Sequence, residues 1–225
     1  MNLGALRAAA RHCRSRGPAR YPTRDSTPTR APRALWEDLA MTDDRGGLTA
    51  PAALIRARGE QDVSGCVRAL RAVHERDGYP SVWPADPGRW VTSAGNDAAA
   101  WVAVDSRGAV RGHVAVLTGV SDAALAALAR CPAARLMSVA RLFVDPAGRG
   151  HATGAALLAA AVGYARGRSL QPVLEVAGTG TAARRLYDRL GWTCVGTRRA
   201  TWTDADGRHP TLYLYALPSG QRPAY

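Results

Sequence analysis

Ser138-Val-Ala-Arg-Leu-Phe-Val-Asp-Pro-Ala-Gly-Arg-Gly-His-Ala-Thr-Gly-Ala-Ala-Leu-Leu158 reads as one unit: an apolar strand, a tight basic loop and the start of a helix. Leu142, Phe143 and Val144 have the bulk and β-branching of a buried strand, and Asp145-Pro146 ends it because proline brings no N–H to a ladder. From Thr153 the run Gly-Ala-Ala-Leu-Leu-Ala-Ala-Ala-Val-Gly-Tyr-Ala-Arg predicts a helix, with Leu157, Val162 and Tyr164 available to pack on a sheet. The loop 149–153 therefore delivers the chain into a helix N-terminus, where backbone N–H groups without intrahelical partners and the helix dipole attract phosphate. Arg149 and His151 strengthen that field, while the small residues Gly150, Ala152 and Gly154 let an anion approach the backbone. The expected ligand is a pyrophosphate held between Arg149 and Gly154, with Thr153 opening the helix.

Two common phosphate loops do not fit. A Walker A loop needs Lys-Ser or Lys-Thr after its last glycine, whereas Gly154 is followed by Ala155-Ala156 and the chain has no lysine. A dinucleotide fingerprint needs G-x-G-x-x-G, which is absent from this loop. A second segment narrows the reading. Pro172-Val-Leu-Glu-Val176 predicts another buried strand, and Thr181-Ala-Ala-Arg-Arg-Leu-Tyr-Asp-Arg-Leu-Gly-Trp192 a helix closed by Gly191. Together, Arg149-x-x-Ala152-x-Gly154 after a Val-Asp-Pro strand end and Ala183, Leu186, Tyr187, Gly191 and Trp192 downstream resemble the two signatures of the GNAT superfamily of acetyl-CoA-dependent N-acetyltransferases. The chain departs from them twice. Ala152 stands where the family has glycine, at a cost of about 1–2 kcal/mol if that position needs positive φ, and Gly180 stands in place of an asparagine.

The resemblance implies transfer of an acetyl group from acetyl-CoA to a primary amine by direct attack, with no metal. It implies that the pantetheine arm pairs with the Leu142, Phe143 and Val144 backbone, and that Tyr187 protonates the leaving thiolate. A tyrosine packed on a helix face is the plainer alternative for Tyr187. The strand 138–144 has no carboxylate, so His113 and Glu175 on neighbouring predicted strands are the candidates for a base acting through water.

The remaining chain supplies the frame. Residues 52–58 read as a first strand, and Gln61-Asp62 opens a helix with Val63, Val67, Leu70 and Val73 on one face. In the stretch 75–90 three prolines argue against a regular helix, yet Tyr79, Trp83 and Trp90 are costly to leave in water, which predicts an aromatic lid over the domain. The resemblance puts that lid on the acceptor side, with Tyr79 and Trp83 as acceptor-binding residues; plugging the core edge is the equal alternative. Asp86 and Glu75 read as solvated loop carboxylates. Residues 98–104 and 109–117 flank Asp105-Ser-Arg-Gly108 as a hairpin, 121–130 is a capped helix, and 193–201 and 211–217 form a last hairpin around Asp204-Ala-Asp-Gly207. The expected fold is mixed α/β: a GNAT-type, mostly antiparallel sheet of six or seven strands flanked by helices and splayed at a central parallel pair.

The 225 residues accommodate one domain, read as 51–220, behind a basic Arg/Pro-rich extension, 1–50, with too few apolar residues to fold and with Met41 as an alternative start. Net charge is +12, of which residues 1–40 supply +5 from eight Arg against Asp25, Glu37 and Asp38. Because every basic residue is arginine, this balance is a weak sign of nucleic-acid binding, although an aminoacyl-tRNA acceptor would use the same charge. Four scattered cysteines without a C-x-x-C pair argue against zinc or disulfides and for a reduced, cytoplasmic setting. No apolar stretch reaches membrane length. The expected partner is a small-molecule or peptide amine, and a homodimer remains open. The competing reading is a catalytically weak GNAT-fold module that senses acyl-CoA.

Overall fold

The computed structural model describes Met41–Thr42, Leu48–Thr49, 53–118 and 122–218. The expected extension over residues 1–40 lies outside the described residues. Within the rest of the span read as extension, Met41–Thr42 pairs antiparallel with Leu48–Thr49.

Seven strands form one sheet. In chain order they are β1 Leu54–Ala57, β2 Asp97–Val104, β3 Val110–Leu117, β4 Leu136–Val144, β5 Gln171–Ala177, β6 Thr193–Arg199 and β7 Thr211–Ala216. Their spatial order is β1-β2-β3-β4-β5-β7-β6. Every pairing is antiparallel except β4 with β5, which run parallel through Leu136–Gln171, Met137–Pro172 and Ser138–Val173. A crossover helix is what a parallel pair requires, and α4, Thr153–Arg166, provides it.

The helices divide between the two faces. α1, Val63–Asp77, buries Cys66, Ala69, Leu70 and Val73 against Val102, Val104, Val110 and Phe143. α3, Ala123–Leu128, sets Leu125 on Leu136, Val173 and Leu214. On the opposite face α4 buries Leu157, Leu158, Ala161 and Val162 with Val114, Val116, Met137 and Leu174, and α5, Thr181–Arg189, adds Tyr187. Alternate residues of one strand thus serve two cores, as period-two geometry demands.

Two local readings change and a third is sharpened. Pro87 does not exclude a helix but starts one: α2, Pro87–Val91, carries proline in its first turn, where the missing N–H costs nothing, and Asp86 caps it by accepting from the Arg89 amide at 2.8 Å. Asp86 is therefore a cap rather than a free loop carboxylate. α3 begins at Ala123, with Asp122 as its cap accepting from Leu125 at 2.9 Å. The end of α5 is a Schellman turn: the Trp192 amide donates to the Tyr187 carbonyl at 3.0 Å, the Gly191 amide to Asp188 at 3.2 Å, and Gly191 has φ 78°.

Candidate active site

Two features of β4 shape the site. Below Ser138 it is zipped to β5; above, no β5 partner is paired with residues 139–144, so the two strands splay. Against β3 its register slips between the His113–Phe143 and Ala115–Ala140 pairs, placing Arg141 and Leu142 opposite Val114. This β-bulge puts Arg141 at φ 52° and shifts the strand by one residue. Met137 and Val139 face the α4 core below the bulge, Leu142 and Val144 face it above, and Phe143 turns to the α1 core.

Beyond β4 the loop is tied down residue by residue. The Asp145 carboxylate accepts from the Ala147 amide at 2.9 Å and pairs with Arg111 at 3.2 Å, while Arg111 also holds Asp105 at 2.8 Å. Thr153 is buried and its hydroxyl donates to the Gly148 carbonyl at 2.9 Å. Gly150 has φ 82° and a Cβ there would meet nothing within 4 Å, so the backbone faces open space. Ala152 is the residue before α4 and has φ 54°, ψ 11°, with no side-chain cap on the helix. The condition set by the sequence is met: position 152 needs positive φ, and alanine there is strained. A Cβ on Gly154 would lie 3.2 Å from Leu186, so that glycine lets α5 come close to α4. The first-turn amides of α4 and the open turn at Gly150 thus lie together at the end of the splayed strand.

Arg149, the loop's cation, is already engaged. It donates through Nε to the Val144 carbonyl at 3.2 Å and pairs with Asp77, the last residue of α1, with both side chains more than a third exposed. His151 is exposed, its Nδ1 donating to the Arg149 carbonyl at 2.8 Å.

Tyr187 lies in the α4 core, 6% exposed, with its ring 5.5 Å from Tyr215 and 6.0 Å from Trp192. The Trp192 contact is the apolar clasp of the Schellman turn, a physical reason for the Tyr-x-x-x-Gly-Trp spacing. Burial pushes its phenol well above the ordinary tyrosine range, with Tyr79 and Tyr215 adding to the effect. The Tyr79 hydroxyl is pushed up to about 12, chiefly by desolvation at that end of the side chain and partly offset by Arg141, while the residue as a whole is 38% exposed.

The lid residues separate. Trp83 packs at the edge of the α1 core, as the plugging alternative expects, its ring 5.2 Å from His74 and 4.0 Å from the Arg71 guanidinium carbon. Tyr79 instead packs edge-on to Trp90 at 6.0 Å, beside Arg141. Of the two predicted acceptor-side aromatics, Tyr79 packs on Trp90 and Trp83 braces α1.

Both base candidates are engaged. His113 is fully buried and stacked on Phe143 at 5.2 Å. Arg58 donates to its Nε2 at 3.0 Å, which leaves Nδ1 as the proton carrier donating to the Arg141 carbonyl at 3.0 Å. Burial, and the guanidinium groups of Arg58 and Arg141, lower it to about 4 against a hydrogen bond and Asp97 that raise it. Glu175 accepts from Arg198, which also reaches Asp122, on the α3 face of the sheet.

Sequence reasoning missed Arg58, Asp97 and Arg141. Arg58 pairs with Asp97 at 2.5 Å and donates to the Val91 carbonyl at 3.0 Å, joining β1, β2, β3 and the lid in one buried cluster. Arg141 could have been flagged as the one charge in an apolar strand; Arg58 and Asp97 gave no signal.

A family model described as Acetyltransferase (GNAT) family matches residues 69–192, from within α1 through the Schellman turn. No curated protein sequence matches the chain. Among solved structures, NAA60 of Arabidopsis thaliana with a bisubstrate analogue superposes with a TM-score of 0.59 at 20% identity, covering 73% of this chain and 96% of that one. The phosphinothricin acetyltransferase of Sinorhizobium meliloti with acetyl-CoA gives 0.57 at 21%, covering 77% and 94%. The ribosomal-protein-S18-alanine N-acetyltransferase of Escherichia coli gives 0.56 at 16%, covering 77% and 99%. At these identities the likeness is one of fold. The family match is stronger: it spans more than half of the sequence and contains the splayed strand, the phosphate loop and the Tyr187 helix, and the chain belongs to the GNAT family of acetyltransferases.

Proposed function

We propose that the protein moves an acetyl group from acetyl-CoA to a primary amine by direct attack. The splay of β4 from β5, ending at a glycine turn on the N-terminus of α4, carries this reading. It offers an unpaired strand edge for an extended arm and a row of amides for a pyrophosphate, in the order a coenzyme A would occupy them.

Acetyl-CoA supplies the activated thioester. The residues present fit it: the Leu142, Phe143 and Val144 backbone would pair with the arm, and an N–H turned into the splay would polarise the carbonyl. Arg149, Gly150, His151, Ala152, Thr153 and Gly154 would hold the phosphates, Arg149 exchanging Asp77 for them. Tyr187 stays protonated at any physiological pH and holds that proton for the leaving sulfur. Neither His113 nor Glu175 is free to take a proton from the acceptor, so the amine must arrive partly unprotonated. An α-amine, near pKa 8, meets that need better than a lysine side chain. The free thiols Cys66, Cys131 and Cys194 suit a reducing cytoplasmic setting. No helix among the described residues is long and apolar enough to cross a membrane.

Release of free thiol from acetyl-CoA across a panel of amines and peptides, with the product weighed by mass spectrometry, tests the reading. Tight acetyl-CoA binding without turnover on any amine would establish the acyl-CoA sensor instead, a reading favoured by the strained Ala152 and the engaged Arg149. For Tyr187→Phe, kcat should fall by roughly 10²–10⁴; an unchanged kcat excludes the acid role and leaves Tyr187 as the clasp of the Schellman turn.

A further inference from the structure

Arg141 is the feature that the acetyl-transfer reading leaves unused. Its guanidinium carbon lies 4.7 Å from the Trp90 ring centre, and its Nε donates to the Trp90 carbonyl. Tyr79 is close enough to feel its charge. No carboxylate of the described residues pairs with it, because the nearby Asp97 is committed to Arg58 at 2.5 Å. His113, between the two arginines, is kept neutral by its burial and by accepting from Arg58 at Nε2. A surplus positive charge therefore lies half-buried under the lid, on the one residue that the bulge of the splayed strand re-aims.

We infer that Arg141, backed by Tyr79, receives an anionic group of the acceptor, so that the substrate is an amine that also carries a carboxylate. This rests on the acetyl-transfer reading above and adds the acceptor class to it. Holding Trp90 uses one edge and one face of the guanidinium. Its outer NH1 and NH2 form the fork that matches a carboxylate, and Tyr79, packed on the same Trp90 ring, brings a hydroxyl donor to that side. Arg141 lies on the splayed stretch of β4, directly before Leu142, so an amine on the carbon that bears the bound carboxylate would lie near the strand edge where the thioester is expected. The geometry selects compact amino acids over a bare polyamine, which the same charge would repel.

The test compares each L-amino acid with its own primary carboxamide, by thiol release from acetyl-CoA with the full chain. Amide and acid carry the α-amine in the same place, but the carboxylate makes the acid's amine the more basic, so every kcat/KM is taken per unprotonated amine, which leaves the charge that Arg141 would read as the difference. The acid of the best pair should have the higher kcat/KM, by roughly ten- to a hundredfold, as one charge-assisted pair provides, with most of the difference in KM. In Arg141→Gln that acid-to-amide ratio should collapse towards one, and Arg141→Lys should restore part of it. The ratio is internal to each variant, so a general loss of folded protein does not mimic its collapse. A wild-type preference for the carboxamide, or a ratio unchanged in Arg141→Gln, overturns the acceptor assignment while acetyl transfer stands. No turnover on any amine in spite of acetyl-CoA binding overturns both.

Discussion

Acidification from pH 7 to pH 5 should weaken this fold through one imidazole. His113 is fully buried, and its pKa drops from the ordinary 6.5 to about 4, mainly because burial penalises the charged ring. Between those values the unfolded chain binds a proton that the folded one refuses. Stability therefore rises with pH across the window, is complete above 6.5, and is lost as pH falls towards 4. Each pH unit in the window is worth about 1.4 kcal/mol, hence about 2 kcal/mol by pH 5 and about 3 kcal/mol by pH 4. Against a typical stability of roughly 5–15 kcal/mol that is a large share. With a urea m-value of roughly 2 kcal/mol/M, the denaturation midpoint should drop by about 1 M between pH 7 and pH 5. The carboxylates that the fold holds low, Asp62, Asp105 and Asp122, lose their contribution only below the ordinary carboxylate range, so this interval isolates the imidazole. His113→Gln can still accept from Arg58 and donate to the Arg141 carbonyl without titrating, and should cut the midpoint shift to less than about 0.3 M. Parallel shifts in the wild type and the variant would refute the assignment of the acid sensitivity to His113.

Three further outcomes follow from the loop and helix ends. Ala152→Gly removes about 1–2 kcal/mol of left-handed strain and adds about 0.5–1 kcal/mol of unfolded-state entropy; Tm should rise by roughly 1–3 °C, and a lower Tm in calorimetry would contradict the strain. Restoring the family asparagine by Gly180→Asn should destabilise, because a Cβ there lies 2.7 Å from the Val176 Cγ2 and 3.1 Å from the Ala177 carbonyl oxygen; the crowding, about 1–3 kcal/mol, outweighs the roughly 1 kcal/mol a new cap would contribute, and a higher urea midpoint would show that β5 yields. Asp77→Asn frees Arg149 from an exposed pair worth about 0.2–1 kcal/mol, so calorimetric titration should show acetyl-CoA binding tighter by roughly twofold to fivefold at low salt; weaker binding would mean that Asp77 positions the arginine instead.

Much of this was legible in one dimension because it depends on residues close in sequence. Strand, Asp-Pro stop, glycine turn and alanine-rich helix between Ser138 and Leu158 are local choices of propensity and turn chemistry, and they emerge in place. The same holds for Gly191, whose left-handed conformation closes α5 as a Schellman turn. The acceptor side was less readable. Trp83 and Tyr79 stand four residues apart in one loop, yet one rests on Arg71 and His74 and the other on Trp90 beside Arg141. Nothing in the order Tyr-Pro-Ser-Val-Trp says which ring turns inward. His113 and Glu175 looked alike as polar residues on apolar strands, and their availability was decided by arginines 55 and 23 residues away.

By itself the sequence determined the family and the order of the main strands and helices, since these rest on periodicity, capping and turn residues within a few positions of one another. Only the tertiary structure decided the bulge. Alternation along β4 would put Leu142 with Ser138 and Ala140, but one extra residue opposite Val114 moves Leu142 and Val144 into the α4 core, sends Phe143 to the α1 side and leaves Arg141 at positive φ beneath the lid. A register slip costs no change of composition and leaves no mark on a single strand; it exists only as a mismatch between two. That mismatch places the unpaired guanidinium at the mouth of the splay, and with it the charge by which the acceptor would be chosen.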